Sequence, residues 1–412
     1  MADVLRRHGE AYRLAHAGHL GRVEKRVMGA ITACRTSALG GHVEACDDCG
    51  TTRVAYNSCR NRHCPKCQGA ARQAWLAARK AELLPVPYFH IVFTVPAPIA
   101  AMAFQNKAIV YAILFRAASA AMNRLAANPR RLGAGIGGMA VLHTWGQALT
   151  HHPTANAQHL SGHLHCVVPG GGLSPDSTRW IAGSQTFFLP VKPLAKLFRR
   201  LFLEHLQASF DAGDLKFFND LATLADPAAF KDQIAAMRRI NWVVYAKKPF
   251  GGPAQVLAYL GRYTHRVAIA NSRLVGLNDD HVAFSWKDYR QNGAAKIMRL
   301  TPDEFIRRFL LHTLPDGFHR IRHFGFMANS HRAEKLALCQ SLLAVQREPT
   351  ASHNAEPPSA PADPQAKADS SPSARPLPAC PDCGGTMRII RDCPRRPSQT
   401  RSTTAPFWCD TS

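Results

Sequence analysis

Two cysteine pairs near the start of the chain share one spacing. Two residues separate Cys46 from Cys49, two separate Cys64 from Cys67, and fourteen lie between the pairs. Two such knuckles fit a tetrahedral zinc site with four thiolate ligands. A segment of about 40 residues buries too little apolar surface to fold alone, so a metal would supply stability on the order of 10 kcal/mol. The spacing therefore predicts a zinc-binding domain over residues 1–80.

Further candidate zinc ligands are interleaved with these pairs. They are Cys34, His42, Cys59 and His63. Either they form a second zinc site or His63 replaces a cysteine of the first, and the sequence leaves both arrangements open. The chain has twelve cysteines, and its start shows no apolar run typical of export. A reducing cytosol keeps thiols free, so we expect metal binding rather than disulfides, in a cytoplasmic protein.

The chain is strongly basic. It carries 51 Lys and Arg against 28 Asp and Glu, a formal charge of +23, which indicates a polyanionic partner. Residues 1–80 alone hold 14 basic against 6 acidic residues, so this segment is expected to bind phosphates. Later basic residues stand among aromatic ones, as in a groove that tracks DNA and stacks its bases; a solvated basic face is the alternative. The candidate DNA contacts are Arg60, Arg62, Lys66, Arg262, Trp286 and Arg322.

Residues 81–345 show the hydrophobic pattern of an α+β core. Strands are predicted at Tyr88 to Val95, Gly138 to Leu142, His163 to Val168, Asn241 to Tyr245 and His281 to Ser285. Helices are predicted at Ala108 to Leu125, Val191 to Phe210, Pro253 to Thr264 and Thr301 to Leu311. The longest apolar stretches are broken by prolines or carry Arg116, and we expect them to be too short to span a bilayer.

The end of the chain changes in composition. Residues 346–379 are rich in Pro, Ala and Ser and predict a disordered linker. Residues 380–412 then hold one more knuckle, formed by Cys380 and Cys383. Its candidate partners in a partial zinc ribbon are Cys393 and Cys409, which do not repeat the knuckle spacing. A vestigial tail is the alternative.

A histidine pair and a tyrosine pair stand out in the α+β core. His163 and His165 alternate within an apolar run, so they point to one face of a strand and make half of a divalent metal site. Tyr259 and Tyr263 are four residues apart in a predicted helix, which places both hydroxyls on one side. Tyrosine is a weak nucleophile at its ordinary pKa of about 10 and needs an electrophile polarised by a metal. The histidine pair could hold the metal and the tyrosine pair could provide the nucleophile that needs it. Taken alone, each pair is better explained by ordinary packing.

Three segments together resemble the two-tyrosine HUH transposases of rolling-circle insertion sequences, the insertion-sequence-ninety-one group. They are His163 to Gly172, Tyr259 to Ile269 and Asn57 to Gln68, and the likeness covers roughly residues 22–343. The resemblance implies an HUH nuclease core with an antiparallel sheet that carries the histidines and a helix that carries the tyrosines. It further implies that a tyrosine attacks single-stranded DNA at the ends of the element and forms a 5′-phosphotyrosine link, while Mg²⁺ or Mn²⁺ polarises the phosphate.

The resemblance also assigns roles to particular residues. Tyr259 and Tyr263 become nucleophiles, and His163 and His165 become metal ligands. Gln147 is the favoured third ligand because its segment precedes the histidine strand and can pair with it, with His143 and His265 as alternatives. Residues 154–162 look like extra hairpin length relative to the family, and a register shift of one residue would turn the ligands away.

Two functions remain open from the sequence. The first is a metal-dependent transposase that cleaves and rejoins DNA. The second is a catalytically inactive, zinc-dependent DNA-binding protein that represses its element or binds its ends. DNA is the expected partner in both, with neither a membrane nor a small-molecule substrate. The histidine and tyrosine pairs separate the two functions, because only the enzyme needs them.

Overall fold

The computed structural model describes residues 1–144, 146, 149, 163–247, 252–264, 268–288, 291–346 and 379–395. The helices are α1 (Ala2–Ala15), α2 (Arg22–Ala33), α3 (Pro65–Ala81), α4 (Ala97–Gln105), α5 (Lys107–Ala127), α6 (Val191–Asp211), α7 (Pro227–Arg239), α8 (Pro253–Thr264), α9 (Pro302–Leu311) and α10 (Arg332–Val345). The strands are β1 (Gly41–Cys46), β2 (Thr52–Tyr56), β3 (Tyr88–Thr94), β4 (Gly137–His143), β5 (His163–Pro169), β6 (Gly171–Leu173), β7 (Trp180–Ala182), β8 (Val244–Lys247), β9 (Leu274–Leu277), β10 (Val282–Asp288), β11 (Ala294–Leu300), β12 (Ile321–Gly325) and β13 (Met387–Cys393). This mixture of helices and antiparallel sheets confirms the predicted α+β class.

A five-stranded antiparallel sheet in the order β12-β4-β5-β3-β8 forms the centre of the fold. Its middle strand, β5, pairs with β4 on one side and with β3 on the other. Phe89, Phe93, Leu142 and Leu164 are buried on one face of this sheet. Successive side chains of a strand point to opposite faces, so the residues between them form a second face, and that face carries histidines.

The apolar face packs against α4, α5, α6 and α7. Phe198 and Phe202 of α6 lie one turn apart and contact Trp242 edge to face, with ring centroids 5.4 and 5.2 Å away. The apolar helix α5 is longer than the sequence pattern predicts, and by length and composition it could cross a membrane. Half of its apolar stretch is buried inside the protein, as in a core helix packed on a sheet.

A second core joins the N-terminal helices to a small sheet. Strands β9, β10 and β11 form an antiparallel sheet in which Phe284 is buried against Phe305 of α9, and Met28 of α2 belongs to the same core. Helix α9 begins at a capping residue, Thr301, whose hydroxyl accepts a hydrogen bond from the backbone N–H of Glu304 at 3.3 Å. Residues from the start of the chain and residues from 268–310 are therefore buried together.

A third sheet joins two distant parts of the chain. Strand β1 pairs antiparallel with β2 on one side and with β13 on the other. Gly41 takes part in both pairings, and a Cβ there would lie 2.4 Å from the carbonyl oxygen of Ala55. A residue with a side chain does not fit at this position. Residues 387–393 thus return to the start of the chain and complete its first sheet.

Candidate functional site

Three histidines converge at neighbouring ends of β4 and β5. The register pairs His143 with His163 and Val141 with His165, so the three imidazoles lie on one face of the sheet. One ring nitrogen of each lies within 4.8 Å of the others, and Nδ1 of His143 is 2.6 Å from Nε2 of His163. Three imidazole nitrogens placed in this way can bind one divalent cation.

Burial favours the neutral form of His143 and His165, which is the form that binds a metal. Burial, followed by the charge of His163, lowers the pKa of His143 well below its ordinary value. Burial, again followed by His163, does the same for the pKa of His165. At neutral pH these two imidazoles therefore present lone pairs rather than positive charges to an incoming cation.

A fourth histidine, His90 of β3, extends the cluster. Its Nε2 lies 2.8 Å from Nδ1 of His165, and the two rings stack with centroids 5.1 Å apart. Burial, followed by the charge of Lys247, lowers the pKa of His90 to about 4. A partner on the second nitrogen of a ligating histidine fixes its tautomer and orientation. His90 was not predicted from the sequence, because a histidine in an apolar strand gives no sign of which residue it faces on the next strand.

Among the described residues, His143 is the third member of the cluster. Gln147, the favoured candidate, and His265 lie outside the described residues. The pairing predicted for the segment of Gln147 therefore stays a prediction; residues 139–143 of β4, just before that segment, pair antiparallel with β5. Residues 154–162 are also outside the described part, and the histidine pair on β5 shares one face with His143.

Helix α8 has the bounds that the sequence predicts and places Tyr259 over the histidine face. The ring of Tyr259 meets His90 edge to face at 4.9 Å between centroids and His165 at 6.4 Å. Tyr263 stands one turn further along the helix, and its side chain and that of Arg262 are outside what the structure describes. A tyrosine ring is therefore in contact with the histidine cluster.

Arg320 caps the C-terminal end of α8. Its guanidinium donates a hydrogen bond to the carbonyl of Thr264, where the helix has carbonyl groups without intrahelical partners and the negative end of its dipole. Burial, followed by the charge of Arg62, lowers the pKa of Arg320 to about 9, so the group stays protonated at neutral pH. Its charge also contributes to the lowered pKa of His143, which places a fixed cation beside the cluster.

Four cysteines meet where α2 ends and α3 begins. They are Cys34, Cys59, Cys64 and Cys67. The Sγ atom of Cys67 lies 3.6 Å from that of Cys34 and 3.6 Å from that of Cys59. Thiolates about 2.3 Å from a tetrahedral zinc ion are roughly 3.8 Å from one another. This group, named the first cysteine group below, fits a structural zinc ion.

The first cysteine group corrects the predicted ligand set. The cysteine spacing predicted one site formed by Cys46, Cys49, Cys64 and Cys67. Only the second knuckle of that set belongs here, because β1 and β2 hold the first knuckle in their own turn, and Cys34 and Cys59 take its place. Neither candidate histidine joins the group: Nε2 of His42 contacts a carboxylate at 2.9 Å, and Nε2 of His63 accepts a hydrogen bond from the backbone N–H of Leu314.

Cys46 and Cys49 meet the knuckle near the end of the chain. The Sγ atoms of Cys46 and Cys383 are 3.5 Å apart, and those of Cys49 and Cys380 are 3.7 Å apart. This corrects the expectation that Cys393 would complete a ribbon with that knuckle, because Cys393 pairs with Gly41 at the other end of β13. Cys409, the other candidate, lies outside the described residues. Strand pairing determines which two knuckles meet, and the spacing of the cysteines does not predict it.

Two of the predicted DNA contacts near the first cysteine group are at the surface. Arg60 and Lys66 are exposed, so both are available to a phosphate. Arg62 instead donates hydrogen bonds to three backbone carbonyls of residues 314–318. Its guanidinium thus links the cysteine loop to a segment of the core, and Arg62 stays a prediction as a DNA contact.

The predicted contacts on β10 and β12 have partly buried environments. Arg322 lies over the rings of Phe115 and Phe318, with Cζ 4.6 and 4.9 Å from their centroids. It is on the apolar side of the sheet, away from the histidines. Trp286 is half-buried and faces Lys296, whose Nζ is 5.9 Å from the ring centroid. Both residues stay predictions as DNA contacts.

Comparisons with known proteins place the chain among the transposases. The "Putative transposase" family model matches residues 137–335, and the transposase zinc-binding domain model matches residues 4–95. The protein named "Putative transposase y4qJ" of Sinorhizobium fredii is 59% identical over 345 residues, 84% of each chain. The transposase for insertion sequence element IS801 of Pseudomonas savastanoi pv. phaseolicola is 28% identical over 319 residues, 77% of this chain and 73% of the relative. No solved structure matches the chain significantly.

The chain belongs to the IS91 family of transposases, which confirms the resemblance found in the sequence. It is therefore an enzyme that acts on DNA. The zinc-binding family model and the cysteine groups together support structural zinc in its N-terminal part.

Proposed function

We propose that this transposase cleaves and rejoins single-stranded DNA at the ends of its own element through a 5′-phosphotyrosine intermediate. The observation that carries the proposal is the contact of the Tyr259 ring with the histidine cluster, 4.9 Å from His90 and 6.4 Å from His165 between centroids. A phosphate bound at the cluster would lie beside a nucleophile held on a helix. Such positioning accounts for much of an enzyme's rate enhancement.

His143, His163 and His165 are the residues that would hold the catalytic cation, Mg²⁺ or Mn²⁺. When bound, such an ion polarises the phosphate and stabilises the charge that develops on its oxygens. An all-imidazole donor set binds Mn²⁺ more tightly than Mg²⁺, which prefers oxygen ligands. The cation of Arg320 at the end of α8 adds positive charge to the same region.

The tyrosine oxygen would form a bond to phosphorus as the bond from phosphorus to the 3′ oxygen breaks. The 5′ phosphate then stays on the tyrosine, and the strand that leaves carries a free 3′ hydroxyl. Attack by a 3′ hydroxyl on the phosphotyrosine reverses the step and rejoins DNA. Tyr263, one helical turn beyond Tyr259, would supply the second nucleophile for the other cleavage.

A catalytically inactive DNA-binding protein would need the cysteine groups and the basic surface, but it would not need this contact. The decisive experiment mixes the full chain with Mn²⁺ or Mg²⁺ and labelled single-stranded oligonucleotides from the ends of the element. A protein-linked DNA species on a denaturing gel is expected, and it should disappear on chelation and in the double variant Tyr259→Phe/Tyr263→Phe. Zinc-dependent DNA binding with no adduct from any cognate end would establish the inactive alternative.

Gly261 sets the distance between α8 and α3 and leads to a prediction about the site. A Cβ at this position would lie 2.9 Å from Cδ1 of Leu76 and 3.2 Å from Nε of Arg72. Gly261→Leu should push α8 away and displace Tyr259, lowering the rate of adduct formation about 100-fold. Single-turnover kinetics at saturating DNA measures this rate.

Gly261→Ala is the matched control. Its single methyl group meets the ends of two flexible side chains, so the rate should fall by less than about tenfold. Thermal unfolding of both variants separates a displaced helix from a general loss of stability. Equal rates for Gly261→Leu and the wild type would show that the spacing of α8 and α3 does not position the nucleophile.

A further inference from the structure

We propose that Cys46, Cys49, Cys380 and Cys383 bind a second structural zinc ion, which fastens the C-terminal segment to the N-terminal domain. The four residues come from opposite ends of the chain. The matched family regions, residues 4–95 and 137–335, include only the first two of them. The ion would therefore be shared between the known zinc-binding domain and a segment with no assigned role.

The distances between the sulfur atoms suit a metal. All four Sγ atoms lie within 4.8 Å of one another, and the cross-knuckle pairs are 3.5 and 3.7 Å apart. These values are close to the separation of roughly 3.8 Å expected for thiolates around a tetrahedral zinc ion. They are too long for disulfide bonds, whose sulfur atoms lie about 2.05 Å apart, and all four cysteines are free.

The two knuckles are built in the same way. In the first knuckle, the N–H of Cys46 donates to the carbonyl of Thr51 at 2.9 Å, and the N–H of Gly50 donates to the carbonyl of Cys46 at 3.1 Å. In the second, the N–H of Cys380 donates to the carbonyl of Gly385 at 2.7 Å, and the N–H of Gly384 donates to the carbonyl of Cys380 at 3.0 Å. Gly50 and Gly384 have φ of +73° and +79°, a conformation that glycine adopts without strain. Two copies of one turn facing each other are the arrangement of a zinc ribbon.

The thiol of Cys383 is also placed as a metal-bound thiolate would be. The backbone N–H of Gly385 donates to its Sγ at 3.4 Å. Such a bond stabilises the negative charge that a coordinating sulfur carries. Thr386, which follows Gly385, accepts a hydrogen bond at its backbone carbonyl from the N–H of Asp47 at 3.1 Å. This bond holds the two knuckles in register.

Apart from the pairing of β13 with β1, little would hold the C-terminal segment in place without a metal. Among the described residues, the apolar cluster between the two parts consists of Cys46, Cys380 and Met387. The ion pair between Arg388 and Asp47 is solvent-exposed, and such pairs contribute little to stability. A cluster of this size is too small to order a separate segment. Zinc would supply the stability that apolar burial does not provide. The segment would therefore be a metal-dependent part of the DNA-binding end of the protein.

Zinc content tests the proposal directly. Native mass spectrometry and elemental analysis of the full chain should find two zinc ions per protein in the wild type and one in Cys380→Ser/Cys383→Ser. The matched control is Cys393→Ser, in the same C-terminal segment but outside the group, which should keep two ions. One zinc ion in the wild type, or two in Cys380→Ser/Cys383→Ser, would overturn the proposal, as would disulfides between these cysteines in the purified protein.

A second experiment tests whether the C-terminal segment stays bound to the rest of the protein. A protease site is inserted within residues 350–375, and the cut chain is passed over a sizing column. The C-terminal fragment should elute with the rest of the protein in the wild type and in Cys393→Ser, and separate from it in Cys380→Ser/Cys383→Ser. Co-elution of the fragment in the last variant would show that strand pairing, rather than a metal, holds the segment.

Discussion

Replacement of His163 and His165 by alanine should lower the rate of adduct formation about 1,000-fold or more. The two side chains supply two of the three imidazole nitrogens that lie within 4.8 Å of one another, and one remaining imidazole would hold a hydrated cation weakly. The reaction would then lose several kcal/mol of charge stabilisation at the phosphate, and each 1.36 kcal/mol corresponds to a factor of ten. Single-turnover cleavage with Mn²⁺ measures the rate, and calorimetric titration with Mn²⁺ measures binding of the ion.

His323→Gln is a matched control for this prediction. His323 lies on the same face of the same sheet, opposite Met139 on β4, and it is not part of the cluster. Burial, followed by the charge of Arg332, lowers its pKa to about 4, as happens with His90. The control should cleave within a few-fold of the wild-type rate and bind Mn²⁺ normally. An alanine double variant that forms the adduct as fast as the wild type would remove the cluster from the mechanism.

The parts of this site that were predicted correctly depend on local patterns. Alternation in an apolar run predicted a strand from His163 to Val168, and β5 spans His163–Pro169. The spacing of apolar residues between Pro253 and Thr264 predicted α8 with its observed bounds. Both patterns reflect which faces of an element are buried, and that information lies within a few residues of sequence.

The parts that were not predicted depend on contacts between distant segments. His90 faces His165 because β3 and β5 pair in one particular register, and no local pattern specifies it. The knuckle at Cys46 meets residues more than 300 positions away because β13 adds to the edge of β1. The cysteine spacing predicts that a knuckle binds a metal, but the choice of partner depends on how the sheets are assembled.

The largest effect on stability is expected from Cys34→Ser/Cys64→Ser in the first cysteine group. Both positions are almost fully buried, with 0% and 1% of their surface exposed, and both belong to the core that contains Met28 and Phe284. The change removes two of four zinc ligands and leaves hydroxyl groups in an apolar environment. Since binding of structural zinc contributes on the order of 10 kcal/mol and domains are stable by only about 5–15 kcal/mol, this core should lose its fixed structure.

Zinc analysis, thermal unfolding and DNA binding of the full chain measure this effect. The Cys34→Ser/Cys64→Ser variant should lose one zinc ion, unfold in its N-terminal part at room temperature and lose most of its affinity for DNA. Cys67→His is the control, because Cys67 is partly exposed and three cysteines with one histidine also bind zinc; it should retain the ion and the fold. If the serine variant keeps cooperative unfolding and DNA affinity without its zinc, burial alone stabilises the core, and the first cysteine group has no structural role.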